Sequence, residues 1–424
     1  MSSPAFDSPG LDLDRIRAQF PSLAETDGGK ARYYFDGPAG TQVPQVVADR
    51  VSDCLLFKSA NQAAFFRTSQ LAGEVAREAR AAVADFLNAP SADEIIFGQN
   101  MTSITFHVSR SIGRLLSAGD EIILSRMDHD ANVEPWRLMA RDFGLEVRWL
   151  EFDTDTFEFD LAELDLLLTD RTRLVCVGGA SNFTGTINDV KTICAKAREA
   201  GAWSFIDGVQ SAPHMSTDVQ AMGCDFFVCS AYKFCGPHQG MLWGRREVLE
   251  QLQPYKLRPA SDELPWSFEP GTQCHEGMAG TAAAIDYLAW IGDTMAGASG
   301  SRRDQLRAAL ELLFDYERQL AEQLITGIQS IPGTRILGIT DPASMHRRVP
   351  TVAFVHKDKA PSAIAKSLAD RNIFAWSGDY YAVEIAKALN IKDSGGAVRI
   401  GPVHYNTADE IDVVIGALAD IIGS

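Results

Sequence analysis

Residues 224–238 read Cys224-Asp225-Phe226-Phe227-Val228-Cys229-Ser230-Ala231-Tyr232-Lys233-Phe234-Cys235-Gly236-Pro237-His238. The apolar run from Phe226 to Cys229 predicts a buried strand. It ends in a hydroxyl, then a lysine between two aromatic residues, then a Gly-Pro turn. A lysine so placed is partly desolvated. Burial disfavours its ammonium form, lowers its pKa and leaves a nucleophilic amine, the state that a Schiff-base lysine requires. Upstream, a second apolar run, Ala202-Trp203-Ser204-Phe205-Ile206, ends in Asp207. Ligands of open α/β sheets gather at the carboxyl ends of strands, so Lys233 and Asp207 are expected to face one site.

Outward from these two runs the same pattern repeats. Strands are predicted at 94–97, 121–124, 146–150, 173–177, 202–206, 225–229 and 240–243, with helices over 73–87, 102–116, 133–143 and 190–200. Such alternation predicts an α/β fold with a mostly parallel, seven-stranded sheet. The small, helix-breaking stretch 294–301 marks a boundary. A long amphipathic helix follows over 302–328, with Leu306, Leu310, Leu313, Tyr316, Leu320, Leu324 and Ile328 at helical spacing. Beyond it come short strands, a helix over 360–371, a strand near 397–400 and a closing helix after Asn406-Thr407. The expected division is an N-terminal segment (1–30) packing with the small domain, a large cofactor-binding domain (31–295) and a smaller C-terminal α/β domain (296–424).

Composition narrows the function. A chain of 424 residues with 46% hydrophobic and 22% charged residues has room for two ordinary globular domains. A net charge of −17 argues against nucleic acid or a membrane surface as partner, since both want clustered Lys and Arg. Residues 1–20 contain no apolar leader core, and no apolar run reaches membrane-spanning length. The seven cysteines form no CxxC pair, which suits reduced thiols in the cytoplasm, and no metal site is expected.

The strand ends carry a matching set of polar groups. Phe97-Gly98-Gln99-Asn100-Met101-Thr102-Ser103 runs from a strand into a helix, and a helix N-terminus with hydroxyls suits a phosphate. Ser230 adds a third hydroxyl. Asp207 suits a protonated ring nitrogen, Gln210 and Asn182 a phenolic oxygen, and His129 the face of a ring. Each alone is an ordinary cap, turn or surface residue. Together they all follow strand C-termini, and they match the parts of pyridoxal 5'-phosphate, the cofactor expected here.

The segments Ala180-Ser181-Asn182-Phe183-Thr184-Gly185-Thr186, Ile206-Asp207-Gly208-Val209-Gln210-Ser211-Ala212-Pro213-His214 and 224–233 also carry a family resemblance. The chain resembles the class V aminotransferases of fold type I, and among them the cysteine desulfurase-like proteins, from Tyr34-Phe35-Asp36 to His404-Tyr405-Asn406-Thr407. The resemblance implies that Lys233 bonds to the cofactor aldehyde and Asp207 pairs with the ring nitrogen. It implies that Gln210 and Asn182 approach the phenolic oxygen, and that His129 stacks on the ring and shuttles a proton. Thr102, Ser103 and Ser230 would hold the phosphate, with Thr272 reaching across a homodimer interface. Arg399 would grip the carboxylate of an amino acid substrate.

The departures concern the loop 376–382. The sulfur-accepting cysteine of desulfurases falls at Tyr381 and an expected arginine at Trp376, while Tyr232 and Asp130 stand where histidines are usual. A phenol cannot act as a sulfur-accepting thiolate, so only Cys274 and Cys235 remain as stand-ins. The expected activity is Cα deprotonation of an amino acid by Lys233, followed by C–S or other β-elimination with lyase or sulfurtransferase-like chemistry. The alternatives are an aminotransferase or epimerase and, in another class, a non-catalytic cofactor-binding partner protein.

Overall fold

The computed structural model describes residues 10–423, so residues 1–9 of the N-terminal segment and Ser424 lie outside the description. Each of the seven apolar runs forms a strand: β1 (Ile95–Gly98), β2 (Glu121–Ser125), β3 (Glu146–Leu150), β4 (Thr172–Gly178), β5 (Trp203–Asp207), β6 (Phe226–Ser230) and β7 (Gly240–Gly244). They build one sheet in the order β1-β7-β6-β5-β4-β2-β3. Only β7 runs against its neighbours, so the other six strands point the same way and end on the same rim. Strands β2, β4, β5, β6 and β7 are buried along almost their whole length, as a sheet covered on both faces requires.

Helices α1 (Gln45–Phe57), α2 (Arg67–Leu87), α3 (Met101–Gly113), α4 (Glu134–Phe143) and α5 (Val190–Glu199) flank this sheet or precede it. α3 starts where it does because the Asn100 side chain accepts from the Ser103 N–H (2.9 Å). Its apolar positions Met101, Ile104, Val108 and Ile112 recur at helical spacing and join one core layer.

α6 (His275–Thr294) was not anticipated. It is buried around nearly its whole circumference, so its sequence carries no amphipathic stripe. α7 (Arg302–Gln329) follows, opened by a capping box between Ser301 and Asp304. The two helices cross so closely that a Cβ added at Gly292 would come within 1.9 Å of the Gln305 carbonyl oxygen. α7 links two cores: Leu306, Leu310 and Leu313 belong to the large-sheet core, and Tyr316, Leu320, Leu324 and Ile328 to a second one. Full burial of each such leucine stabilises the fold by about 2 kcal/mol.

The second core lies against an antiparallel sheet of β8 (Thr334–Leu337), β9 (Val352–His356), β10 (Trp376–Gly378) and β11 (Ala397–Ile400), ordered β8-β9-β11-β10. α8 (Pro361–Ala369) and α9 (Ala408–Gly423) complete it. Arg399 sits on the interior strand β11, opposite Ala353 and Trp376. The start of the chain is stitched to this end: Tyr33–Tyr34 pairs in parallel with Ile373–Phe374, and Asp36 bridges to Gly401. Farther upstream, Leu11 and Leu13 pack on the second core, while Ile16 and Phe20 enter the first.

Candidate active site

A cavity of about 340 Å³ opens at the common rim of the parallel strands, where loops from the small sheet close over it. Lys233 enters it from the single turn after β6. The residue is 9% exposed, and its Nζ donates to the Pro38 carbonyl. Burial, reinforced by the Arg399 charge, lowers the lysine to about 7, while Asp207 and Asp36 pull the other way. An amine so poised is substantially neutral near physiological pH.

Asp207 is the last residue of β5, and its Oδ1 accepts from the Val209 N–H (2.9 Å). Burial raises it to about 6, against the pull of that hydrogen bond and of Lys233. Behind it lies Asp128, which sequence reasoning passed over. Its carboxylate accepts from Gly178 N–H (2.8 Å), Asn132 Nδ2 (2.7 Å) and Ser125 Oγ (2.9 Å). Burial and the neighbouring Asp207 charge raise it to about 7. The signal available was its place beside His129 in the loop after β2.

His129 is lowered to about 3 by burial first, then by Lys233 and Arg399, so its ring is neutral. Nδ1 accepts from the Ala131 N–H (3.0 Å), which leaves the proton on Nε2. Opposite, Asn182 Nδ2 donates to the Tyr380 carbonyl (3.0 Å) and Gln210 Nε2 to Thr351 Oγ1 (2.8 Å). The amide oxygens of both side chains are buried without a partner. A polar wall of this kind is incomplete without a polar guest.

At the amino end of α3, Thr102 and Ser230 line the cavity, and Ser230 Oγ accepts from the Met101 N–H (3.1 Å). Ser103 does not. Its hydroxyl donates to Asn100 (3.0 Å) and it lines a second cavity with Thr272, His238 and Cys274. The segment carrying Thr272 is pinned by the buried Glu269, which accepts from Arg80 (2.9 and 2.7 Å) and from the Phe97 N–H (2.7 Å).

The small sheet supplies the last side. Arg399 Nη1 donates to the Asn182 carbonyl (2.8 Å), and its guanidinium lies 4.1 Å from the centre of the Tyr380 ring. Burial lowers this arginine to about 10, which still leaves it charged. Tyr381 faces His129, ring centres 5.6 Å apart, and Tyr232 lies 5.1 Å beneath the Lys233 ammonium.

Residues 33–414 match the family model of aminotransferase class-V. The chain belongs to the class V aminotransferase family. Among its relatives are the cysteine desulfurases of Serratia proteamaculans (33% identical over 96% of this chain and 98% of that one) and Yersinia pestis strain Pestoides F (31%, the same coverage). Among solved structures it is similar to the apo cysteine desulfurase of Thermococcus onnurineus (TM-score 0.86, 26% identical, 97% of this chain and 98% of that). The cysteine desulfurase CsdA of Escherichia coli also superimposes (TM-score 0.83, 26% identical, 97% and 99%). The fold is therefore fold type I, and the chain is a pyridoxal phosphate-dependent enzyme of the transferase/lyase kind.

The cavity fits that cofactor: an amine of lowered pKa, a buried carboxylate, a helix N-terminus and two amides with spare hydrogen-bonding capacity converge on it. What this class V aminotransferase lacks there is a thiol. None of its seven cysteines lines the cavity. Cys235 is fully buried and its thiol is pushed up to about 12, which removes it as a stand-in for the loop cysteine. Cys274 is exposed but belongs to the second cavity, and partial burial raises its thiol too.

Proposed function

We propose that this enzyme is a C–S lyase that deprotonates Cα of an L-amino acid, L-cysteine among them, and expels a sulfur substituent from Cβ without parking it on an enzyme thiol. The observation that carries this reading is the absence of any cysteine from a cavity where Lys233, Asp207 and Arg399 converge. Bound pyridoxal phosphate would supply the sink for the electron pair left at Cα. Lys233, whose lowered pKa suits a base near neutral pH, holds the cofactor and then takes the Cα proton. Asp207 meets the ring nitrogen, and the amides of Asn182 and Gln210 face the phenolic oxygen. Neutral His129 covers the ring with its Nε2–H, and Tyr232 packs beside Lys233. Thr102 and Ser230 hold the phosphate, with Ser103 at the next position of the same turn. Arg399 pairs with the substrate carboxylate through the edge that Asn182 leaves free, beside Tyr381.

Thr272 lines a different cavity in the same chain, so it can serve the phosphate only in a homodimer, which forms part of this reading. The reading also divides the chain into the segments 1–30, 31–295 and 296–424, with α7 joining the last two. Among the described residues no helix is long and apolar enough to cross a membrane. The seven unpaired cysteines suit a reducing compartment, and we take the cytoplasm as the location.

The test is to incubate the cofactor-loaded enzyme with L-cysteine and follow pyruvate, sulfide and the protein mass. Sulfide and pyruvate in equal amounts, with no sulfur added to the protein, is the expected result. Sulfur retained on Cys274 would restore a desulfurase mechanism. Exchange of the Cα hydrogen with solvent deuterium, without pyruvate from any β-substituted amino acid, would move the assignment to an epimerase or aminotransferase.

A further inference from the structure

The buried end of the cavity is built for what amino acids share; its mouth is not. Lys233, Asp207, Asp128 and Arg399 are the charged residues lining the cavity, and all are buried. At the mouth stand two large aromatic side chains, Trp376 and Tyr381, 54% and 71% exposed. Both line the cavity. Trp376 is the register partner of Arg399 in the antiparallel pair β10–β11, so the two side chains rise from the same face of the sheet as neighbours. Tyr381 stands on the other side, against His129. A substrate held by Arg399 at its carboxylate therefore has an indole and a phenol within reach of its side chain.

The rim is held, not loose. Tyr380 and Tyr381 adopt φ of 53° and 58°, a left-handed conformation that side-chain-bearing residues enter at a cost. It is fixed from the large-sheet side, where the Asp130 N–H donates to the Tyr381 carbonyl (2.7 Å) and Asn182 to that of Tyr380 (3.0 Å). Backbone strain maintained by cross-domain hydrogen bonds is a mark of a functional loop. Exposed aromatic surface next to a ligand cavity is best covered by an apolar or aromatic group of the ligand itself.

We propose that the preferred substrates are L-cysteine S-conjugates, thioethers whose sulfur carries an aromatic or benzylic group that lies between Trp376 and Tyr381. This rests on the C–S lyase reading and specifies its substrate class. It also accounts for the missing thiol, because a sulfur that already bears a carbon substituent cannot be handed on as a persulfide. In the reaction the Cα proton goes to the Lys233 amine and the Cα–H electron pair becomes the Cα–Cβ double bond. The Cβ–S pair leaves with the thiolate, which takes a proton from water at the open mouth. The remaining enamine takes up a proton and water, giving pyruvate and ammonium. The net change is one conjugate and one water to thiol, pyruvate and ammonium, with no oxidant or reductant.

The experiment compares pyruvate formation from S-benzyl-L-cysteine, S-methyl-L-cysteine and β-chloro-L-alanine, an activated elimination substrate without a side chain to recognise. A second arm measures by calorimetry the binding of 3-(benzylthio)propanoate and 3-(methylthio)propanoate, which lack the amine. The expected result is kcat/KM about tenfold or more in favour of benzyl over methyl, with the benzylthio acid also bound more tightly than the methylthio acid. In Trp376→Ala that preference shrinks by about tenfold. Equal kcat/KM for benzyl and methyl with β-chloro-L-alanine turned over would overturn this inference and leave the lyase reading standing. No pyruvate even from β-chloro-L-alanine would overturn both. A Trp376→Ala effect on oligomeric state without any change in the benzyl preference would mean that a second copy covers the rim, and would also overturn it.

Discussion

The large-sheet rim and the small-sheet loop 376–381 meet over the same cavity, yet they are built in opposite ways. Along the rim the titrating side chains end or follow largely buried strands, and their charge state is set by burial: Lys233 down to about 7, Asp207 up to about 6, His129 down to about 3. The loop contributes exposed aromatic rings on strained backbone. The rim resembles machinery indifferent to the side chain of the substrate. The loop, whose sequence departs from the desulfurase pattern that the rest of the chain resembles, is on our proposal the place where the substrate is chosen. If that contrast is right, substitutions on the rim should abolish the chemistry, and substitutions in the loop should redirect or loosen it.

The sharpest break would come at Lys233. On the proposed reading Lys233→Ala removes both the covalent anchor and the base, and a positioned base alone contributes about 10²–10⁴-fold. A loss of at least that size in kcat is expected for every substrate, benzyl or methyl alike. Retention of more than a tenth of wild-type turnover would show that the rim does not carry the proton transfer, and the contrast would collapse.

A second test uses charge. In the cofactor-free protein Asp207 is raised from 3.8 to about 6, so the folded state binds that proton more tightly than the unfolded chain. The associated stability is present below the unfolded value and is lost as pH rises through about 6. The shift corresponds to about 3 kcal/mol. Asp207→Asn should therefore make the cofactor-free protein more stable than wild type at pH 8 by up to that amount and little different at pH 4, read from urea midpoints. The same variant should hold the cofactor less tightly. A variant less stable at pH 8 would mean that Asp207 is stabilised as a carboxylate by its surroundings, not strained by burial.

How far the sequence could be read follows the same division. The interior strands of the large sheet were legible because cover on both faces makes each a short apolar run, and the polar residue at the end of a run marks the rim. α6 was not legible, since burial all around erases the helical stripe. Asp128 was passed over because its importance lies in donors from three separate positions, Ser125, Asn132 and Gly178, which only the fold assembles. Thr102 and Ser103 looked equivalent as adjacent hydroxyls. Successive helical residues are rotated by about 100°, and the two line different cavities. The loop was legible only as a departure, with Tyr381 and Trp376 where a cysteine and an arginine were expected; neither the pairing of Trp376 with Arg399 nor the left-handed pair at Tyr380 and Tyr381 has a sequence signature.

The smallest effect expected is the one that probes the loop's strain directly. Tyr381 sits at φ 58° with its ring mostly in solvent, so a change there removes little packing and reports mainly on backbone. Glycine enters the left-handed region freely, but ordering it costs roughly what the relief of strain returns. Tyr381→Gly should leave the thermal midpoint nearly where it was. Valine, branched at Cβ, is far less tolerant of that conformation, and Tyr381→Val should cost about 1–2 kcal/mol relative to the glycine variant. If the two variants melt together, the loop relaxes out of its left-handed turn in solution. The loop would then be adjustable, and the difference between the two sides of the cavity would be one of composition alone.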